Sequence, residues 1–193
     1  MPTQIRALLL CGGLSTRFGS NKLLAMLDGE PLVSRSARNL LAGAGNALAV
    51  VPVGSEALRR ALDDAGCEVI ESPDCERGMG ASLAAAVAAS ATADGWIVAL
   101  GDMPFVKPLT IAAVMDKIEK GALIAAPVYQ GIRGHPVGFA RALKAELLAL
   151  DGDEGARRVV AAHRDSLESI IVTDPGVNAD VDVAADLVNR GGA

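Results

Sequence analysis

Aromatic side chains are nearly missing from this chain: one Trp, one Tyr and three Phe in 193 residues. A core must therefore come from Leu, Val, Ile and Ala, and the stacking platforms of single-strand nucleic-acid binders are not expected. Histidine is scarcer still, with only His135 and His163. Three cysteines, Cys11, Cys67 and Cys75, show no Cys-x-x-Cys spacing and cannot pair off completely. A zinc site of His and Cys is thus not expected, and the thiols read as reduced ones in a cytoplasm. Excess positive charge is absent as well: 18 Lys plus Arg against 23 Asp plus Glu give a net charge of −5. Such a balance excludes a global electrostatic hold on nucleic acid and leaves anionic ligands to local cations and backbone N–H groups. No apolar run approaches the roughly 18 residues of a membrane span. The run 7–11 behind Arg6 is shorter than the ~7–15-residue core of a secretion signal, and Leu10 is bulky where a small residue is wanted. Neither a membrane nor a nucleic acid is an expected partner.

Apolar residues make up 51% and charged residues 21%, an ordinary globular balance. The length suits one domain over 1–193. Short apolar runs alternate with helix-like stretches throughout. Strands are expected over 5–10, 46–53, 67–71, 96–100, 122–128 and 167–172. Helices are expected over 31–42 (Pro31 in the first turn, Gly43 as the stop), 55–65, 81–91, 108–120, 140–149, 155–163 and 183–190. Residues 129–139 hold Gly131, Gly134, Gly138 and Pro136 and read as a loop or hairpin. The alternation predicts an α/β sandwich with a mostly parallel sheet and one antiparallel departure near residue 129. In such sheets ligands lie beyond the carboxyl ends of strands, so the loops after Leu10, Leu100 and Val128 are the places to look.

The first of these loops reads Leu10-Cys-Gly-Gly-Leu-Ser-Thr-Arg-Phe-Gly-Ser-Asn-Lys22. Gly12, Gly13 and Gly19 allow close backbone approach, while Ser15, Thr16, Arg17 and Lys22 add hydroxyls and two cations. This is phosphate-cradle chemistry, although neither a Walker A loop nor Gly-x-Gly-x-x-Gly is present. The alternative is a surface turn with solvated charges, and Arg17 and Lys22 are expected to be exposed. The second loop is Gly101-Asp102-Met103-Pro104. An Asp at a strand's carboxyl end suits a hard cation such as Mg²⁺, which takes one or two carboxylates and fills its shell with water and phosphate oxygens. It equally suits a turn cap. A further acidic group, Asp180, Asp182 and Asp186, precedes the last expected helix, where charge–dipole stabilisation is the bland explanation. Around the third loop, Arg133 and His135 bring a charge and a titratable donor to a glycine-flexed segment. Arg157 begins a short helix behind Gly155.

The first loop resembles the N-terminal signature of the nucleotidyltransferase superfamily, with Leu10, Gly13, Ser15, Arg17, Gly19 and Lys22 in matching places. Gly101-Asp102-Met103-Pro104 is similar to that family's metal-binding Gly-Asp-Met-Pro, and Gly78-Met79-Gly80-Ala81-Ser82-Leu83 to its nucleoside-contacting segment. The stretch 127–139 (Pro-Val-Tyr-Gln-Gly-Ile-Arg-Gly-His-Pro-Val-Gly-Phe) and the run 152–157 (Gly-Asp-Glu-Gly-Ala-Arg) resemble the molybdenum cofactor cytidylyltransferases within the MobA-like NTP transferases.

The resemblance implies a Rossmann-like three-layer sandwich of the nucleotide-diphospho-sugar transferase type. It implies a nucleotide site from Leu10, Gly12, Gly13, Ser15, Arg17, Lys22, Gly78 and Ser82, and Mg²⁺ on Asp102 and Asp182, with Asp180 as the competitor. Arg17, Lys22 and Asp102 would be the catalytic set, and Arg133, His135 and Arg157 the acceptor site. The implied reaction is attack of a molybdopterin phosphate on the α-phosphorus of CTP, with pyrophosphate leaving, in the cytoplasm and in transient contact with a target molybdoenzyme or its chaperone.

Two departures stand out. Val183-Ala184-Ala185 replaces the family's Thr-Pro-Glu. Gly12-Gly13 stands where cytidylyltransferases carry Ala-Gly, as in the guanylyltransferase branch, and leaves more room for a purine. The Lys22-Leu23-Leu24 continuation and the 133–136 block point to cytidine, with GTP as the alternative. Transfer to another small phosphate acceptor, or a non-catalytic cofactor carrier, are the remaining alternatives.

Overall fold

The computed structural model describes residues 3–12 and 21–181. Within them the chain forms β1 (Ile5–Leu10), β2 (Met26–Leu27), β3 (Glu30–Pro31), α1 (Leu32–Ala44), β4 (Leu48–Val51), α2 (Glu56–Ala65), β5 (Glu68–Glu71) and α3 (Met79–Ala89). Then follow β6 (Gly95–Leu100), α4 (Pro108–Glu119), β7 (Ile124–Tyr129), β8 (Ile132–Arg133), β9 (Val137–Ala140), α5 (Lys144–Leu148), α6 (Arg157–Ala162) and β10 (Leu167–Ile171). The main sheet runs β10-β7-β9-β6-β1-β4-β5, with β8 paired to β7 and a separate β2–β3 hairpin. The pairs β5–β4, β4–β1, β1–β6 and β7–β10 are parallel, while β9 runs antiparallel to both β6 and β7. Every strand of this path except β9 therefore points the same way. The carboxyl ends of β1, β6 and β7 share one edge, and the start of β9 arrives there too.

Side-chain alternation on the strands explains the layers. Ala7, Leu9, Ala49 and Ile97 face a cluster with α1, α2 and α4, whereas Leu8, Leu10, Val50, Trp96 and Phe139 face one with α3, α5 and α6. β1 is wedged between β4 and β6 and buried on both faces, which is why its sequence is nearly all apolar rather than alternating. The lone Trp is fully buried, and its indole N–H donates to Ser90 Oγ at 2.9 Å. This is the mixed, mostly parallel three-layer α/β fold that the strand–helix alternation predicts.

One expectation about local structure changes, the stop of α1, while the hairpin expected near residue 129 is present. Gly43 does not stop α1; the helix continues to Ala44 and ends at Gly45, whose φ is 73°. A Cβ on Gly43 would lie 2.6 Å from Pro108 O and 2.7 Å from Ile111 Cβ, so this glycine lets α1 and α4 cross closely. The segment 129–139 is a tight β7–β8 hairpin, turning at Gln130 and Gly131 with φ of 50° and 80°, followed by β9, which inserts between β6 and β7. The β2–β3 hairpin turns through Asp28 and Gly29, also at positive φ. The helix expected over 183–190 lies outside the described residues. No helix among the described residues is long and apolar enough to cross a membrane.

Candidate active site

Asp102 sits in the turn that leaves β6, and Lys22 sits in the 3-10 turn Lys22–Leu24 that follows the first loop. Asn21 caps that turn, its side chain accepting from Leu23 N at 3.1 Å, and Leu23 is buried, so Lys22 is fixed in direction. Lys22 Nζ donates to Asp102 Oδ2 at 2.8 Å, with side chains 19% and 21% exposed. Lys22 is therefore not the exposed loop cation that its glycine-rich surroundings predict: four-fifths of it is covered, and it is held against the strand-end carboxylate.

The turn carrying Asp102 is clamped from several sides. Gly101 N donates to Leu10 O at 2.9 Å, tying the ends of β6 and β1 together. Ser36 Oγ, from the buried face of α1, donates to Gly101 O at 2.8 Å, and Asn39 Nδ2 donates to Pro104 O at 2.9 Å. These two bonds fix the carbonyls on either side of Asp102 and Met103. Asp102 O accepts from Val181 N at 3.0 Å, which draws the segment 178–181 alongside.

A cleft of about 550 Å³ opens beside this turn. Leu10, Asp102, Arg133, His135, Arg157 and Asp180 all line it, over an apolar floor that includes Leu100, Phe139 and Val177. The three acceptor-site residues expected from sequence thus share one cavity with Asp102. Arg133 and Arg157 are exposed at its rim. His135 is half-buried; its backbone N–H donates to Val177 O at 2.9 Å, and its Nδ1 is buried with no hydrogen-bond partner among the described residues. Burial, first, and the Arg133 guanidinium, second, hold the imidazole below its ordinary pKa; Asp102 and the Val98 backbone oppose them more weakly.

Gly12, Gly78 and Ser82 form a packing unit outside that lining. Ser82 is fully buried, and its hydroxyl donates to Gly78 O at 2.9 Å. A Cβ on Gly12 would lie 2.6 Å from Ser82 Oγ and 3.3 Å from Cys75 Sγ. The space beside Gly12 is therefore filled from within the protein and is not left open for a purine. Gly78, at φ 112°, packs so tightly on Gly152 and Asp153 that no Cβ fits, and Gly80 N donates to Gly152 O at 2.7 Å. In this way the 78–83 and 152–157 segments, far apart in sequence, become neighbours. Cys11, Cys67 and Cys75 are buried free thiols; burial pushes Cys67 up to about 11 and raises the other two.

Gly13, Ser15, Arg17 and Asp182 lie outside the described residues. Among the described ones, no group of three or more His, Cys, Asp or Glu could hold a metal, and the carboxylates lining the cleft are Asp102, Asp153, Glu154 and Asp180. Sequence patterns alone give no role to Ser36, Asn39 and Asp174. Ser36 and Asn39 look like the solvated face of a helix. Only the three-residue interval, matching one helical turn, hints that they reach the same neighbour.

A strand-end Asp turn facing a cation from the preceding β1 loop, on a mostly parallel sheet, is the arrangement of a nucleotidyltransferase, and the protein is one. The model of the MobA-like NTP transferase domain matches residues 7–167, and the chain belongs to that family. Similar curated proteins include the molybdenum cofactor cytidylyltransferase of Escherichia coli (strain K12), 27% identical over 69% of this chain and 68% of that protein. The nicotine blue oxidoreductase of Paenarthrobacter nicotinovorans is 25% identical over 95% and 94%. The probable molybdenum cofactor guanylyltransferase of Thermococcus sibiricus is 29% identical over 63% and 60%. Among solved structures, Rv0371c of Mycobacterium tuberculosis H37Rv superposes with a TM-score of 0.85 at 29% identity, covering 98% of this chain and 97% of that one. Its complex with manganese gives 0.81 at 28%, with 97% of each chain covered.

Proposed function

We propose that the protein transfers CMP from CTP to the terminal phosphate of a molybdopterin-type cofactor, releasing pyrophosphate. The observation that carries this reading is the single cleft in which Arg133, His135 and Arg157 stand beside Asp102. The names of the E. coli and Thermococcus relatives support a molybdenum cofactor as acceptor, and the 133–136 block supports cytidine over guanine.

In this reaction an acceptor phosphate oxygen forms a bond to the α-phosphorus as the bond to the β-phosphate oxygen breaks. A phosphate is already ionised at neutral pH, so no general base is required, and His135 would serve the acceptor through hydrogen bonding. Arg133 and Arg157 would hold the acceptor's anionic groups at the rim. Arg17 and Lys22 would balance the charge of the leaving pyrophosphate. Alignment and charge neutralisation then supply most of the rate.

The donor set suits Mg²⁺: hard carboxylate oxygens only, Asp102 with either Asp180 or Asp182, leaving further positions for phosphate oxygens. The manganese complex of the mycobacterial relative supports dependence on a divalent ion. Bound at these residues, the ion would neutralise charge developing on the phosphates. Buried free thiols accord with a cytoplasmic setting, and product delivery would bring transient contact with a molybdoenzyme or its chaperone.

The test is pyrophosphate release from each NTP in turn, with and without molybdopterin. Acceptor-dependent release from CTP supports the reading, and release from GTP instead would move it to guanylyl transfer. No release from any NTP would overturn it, and the oxidoreductase among the relatives makes that outcome informative.

A further inference from the structure

Asp174 is a carboxylate shut inside the protein, 3% exposed, that no step of the proposed reaction uses. Its Oδ2 accepts from Lys107 N at 2.8 Å and from Thr110 Oγ1 at 2.7 Å, and its Oδ1 accepts from Gly176 N at 3.0 Å. Among the described residues no cation pairs with it. Burying a carboxylate is costly, and two donors at the start of α4 and a third from Gly176 offset part of that cost. A cap on α4 alone would need only the first two.

The third bond begins a short strap, 175–181, whose backbone reaches both halves of the cleft. Gly176 packs against Phe105 O with no room for a Cβ. Val177 is fully buried, and its carbonyl holds the His135 N–H at 2.9 Å. Gly134 lies against Val177 and Asn178, again with no room for a Cβ. At the far end, Val181 N donates to Asp102 O at 3.0 Å, and Asp180 lines the cleft between. A slip of one residue along the strap would break the His135 and Asp102 contacts together.

We infer that Asp174 is a positioning residue: by locking the 175–181 strap to the start of α4, it sets the strap's register against both His135 and the Asp102 turn. Its effect on turnover rests on the proposed function; its effect on the strap does not.

Asp174→Asn keeps the size but must turn an N–H toward one of the three donors. Hydrogen exchange by NMR should then speed up by about tenfold or more at the His135 and Val181 amides, beyond any change at the β6 amides. The kcat for pyrophosphate release should fall about tenfold or more at saturating CTP, with KM for CTP within about threefold of wild type. Thr110→Val, which removes one donor, should give the same pattern in smaller measure. Thr110→Ser, which restores the hydroxyl, should behave as wild type. Wild-type protection at both amides in Asp174→Asn overturns the inference, as does loss of protection with kcat unchanged. If Asp174→Asn does not fold, the Thr110 pair decides on the same amides. If the wild type turns over no NTP, the proposed function fails, while the exchange comparison still tests the register.

Discussion

Lys22 and Asp102, eighty residues apart in sequence, meet as an ion pair of 2.8 Å at the carboxyl edge of the sheet. The pair joins the end of the first loop to the turn after β6. In the proposed reaction the two have separate tasks, Lys22 toward phosphate and Asp102 toward the metal. Their contact brings both charges to the same strand end.

Lys22→Ala should therefore weaken nucleotide use far more than it weakens the fold. Both side chains keep about a fifth of their surface in water, so breaking the pair should cost roughly 1 kcal/mol. The kcat/KM for CTP should drop about tenfold or more. Thermal melts and kinetics on the same preparation compare the two losses. A large melting shift with ordinary kinetics would make Lys22 a structural residue.

Gly12 and Ser82 should behave as a coupled pair. Gly12→Ala places a methyl against the Ser82 hydroxyl and should destabilise by about 1–3 kcal/mol. Adding Ser82→Ala removes the obstructing oxygen, so the double variant should be more stable than the sum of the singles predicts, by roughly 1 kcal/mol. Because the methyl points into the protein, neither change should alter the preference between CTP and GTP. Denaturant melts give the cycle, and a switch in base preference on Gly12→Ala would restore the reading that this position makes room for the base.

His135 should make the protein less stable in mild acid. Its pKa in the folded state lies below the ordinary 6.5, so the unfolded chain binds the proton more readily. The stability linked to a neutral His135 is complete above about pH 6.5 and is lost as pH falls through the lower, folded-state value. The charged groups that act on it are Arg133, Arg157 and Asp102. Melting temperature measured from pH 7.5 to 5 should fall less steeply in His135→Gln than in the wild type. Equal slopes would show that the ring titrates freely.

The strands were legible because each is a short apolar run buried by its neighbours, and the sites at their ends followed from the parallel sheet. Other features depend on contacts that local pattern does not carry. Gly43 looks like a helix stop, yet its role is set by Pro108 O from a helix more than sixty residues on. The four residues of β9 could pair with many strands; insertion between β6 and β7 is a long-range choice. Arg133, His135 and Arg157 were legible through motif resemblance. Ser36, Asn39 and Asp174 were not, because a polar residue that holds a distant backbone carbonyl or N–H looks in sequence like one that faces water.

In the proposed reaction the Asp102 turn serves nucleotidyl transfer from CTP. The most direct measurement is kcat/KM for CTP, by pyrophosphate release with molybdopterin and Mg²⁺, for the wild type and for Asp102→Ala shown to be folded by circular dichroism. If Asp102 holds the metal as proposed, its loss should remove several kcal/mol of transition-state stabilisation, a fall of about a thousandfold or more. Near-normal release by the folded variant would contradict the account.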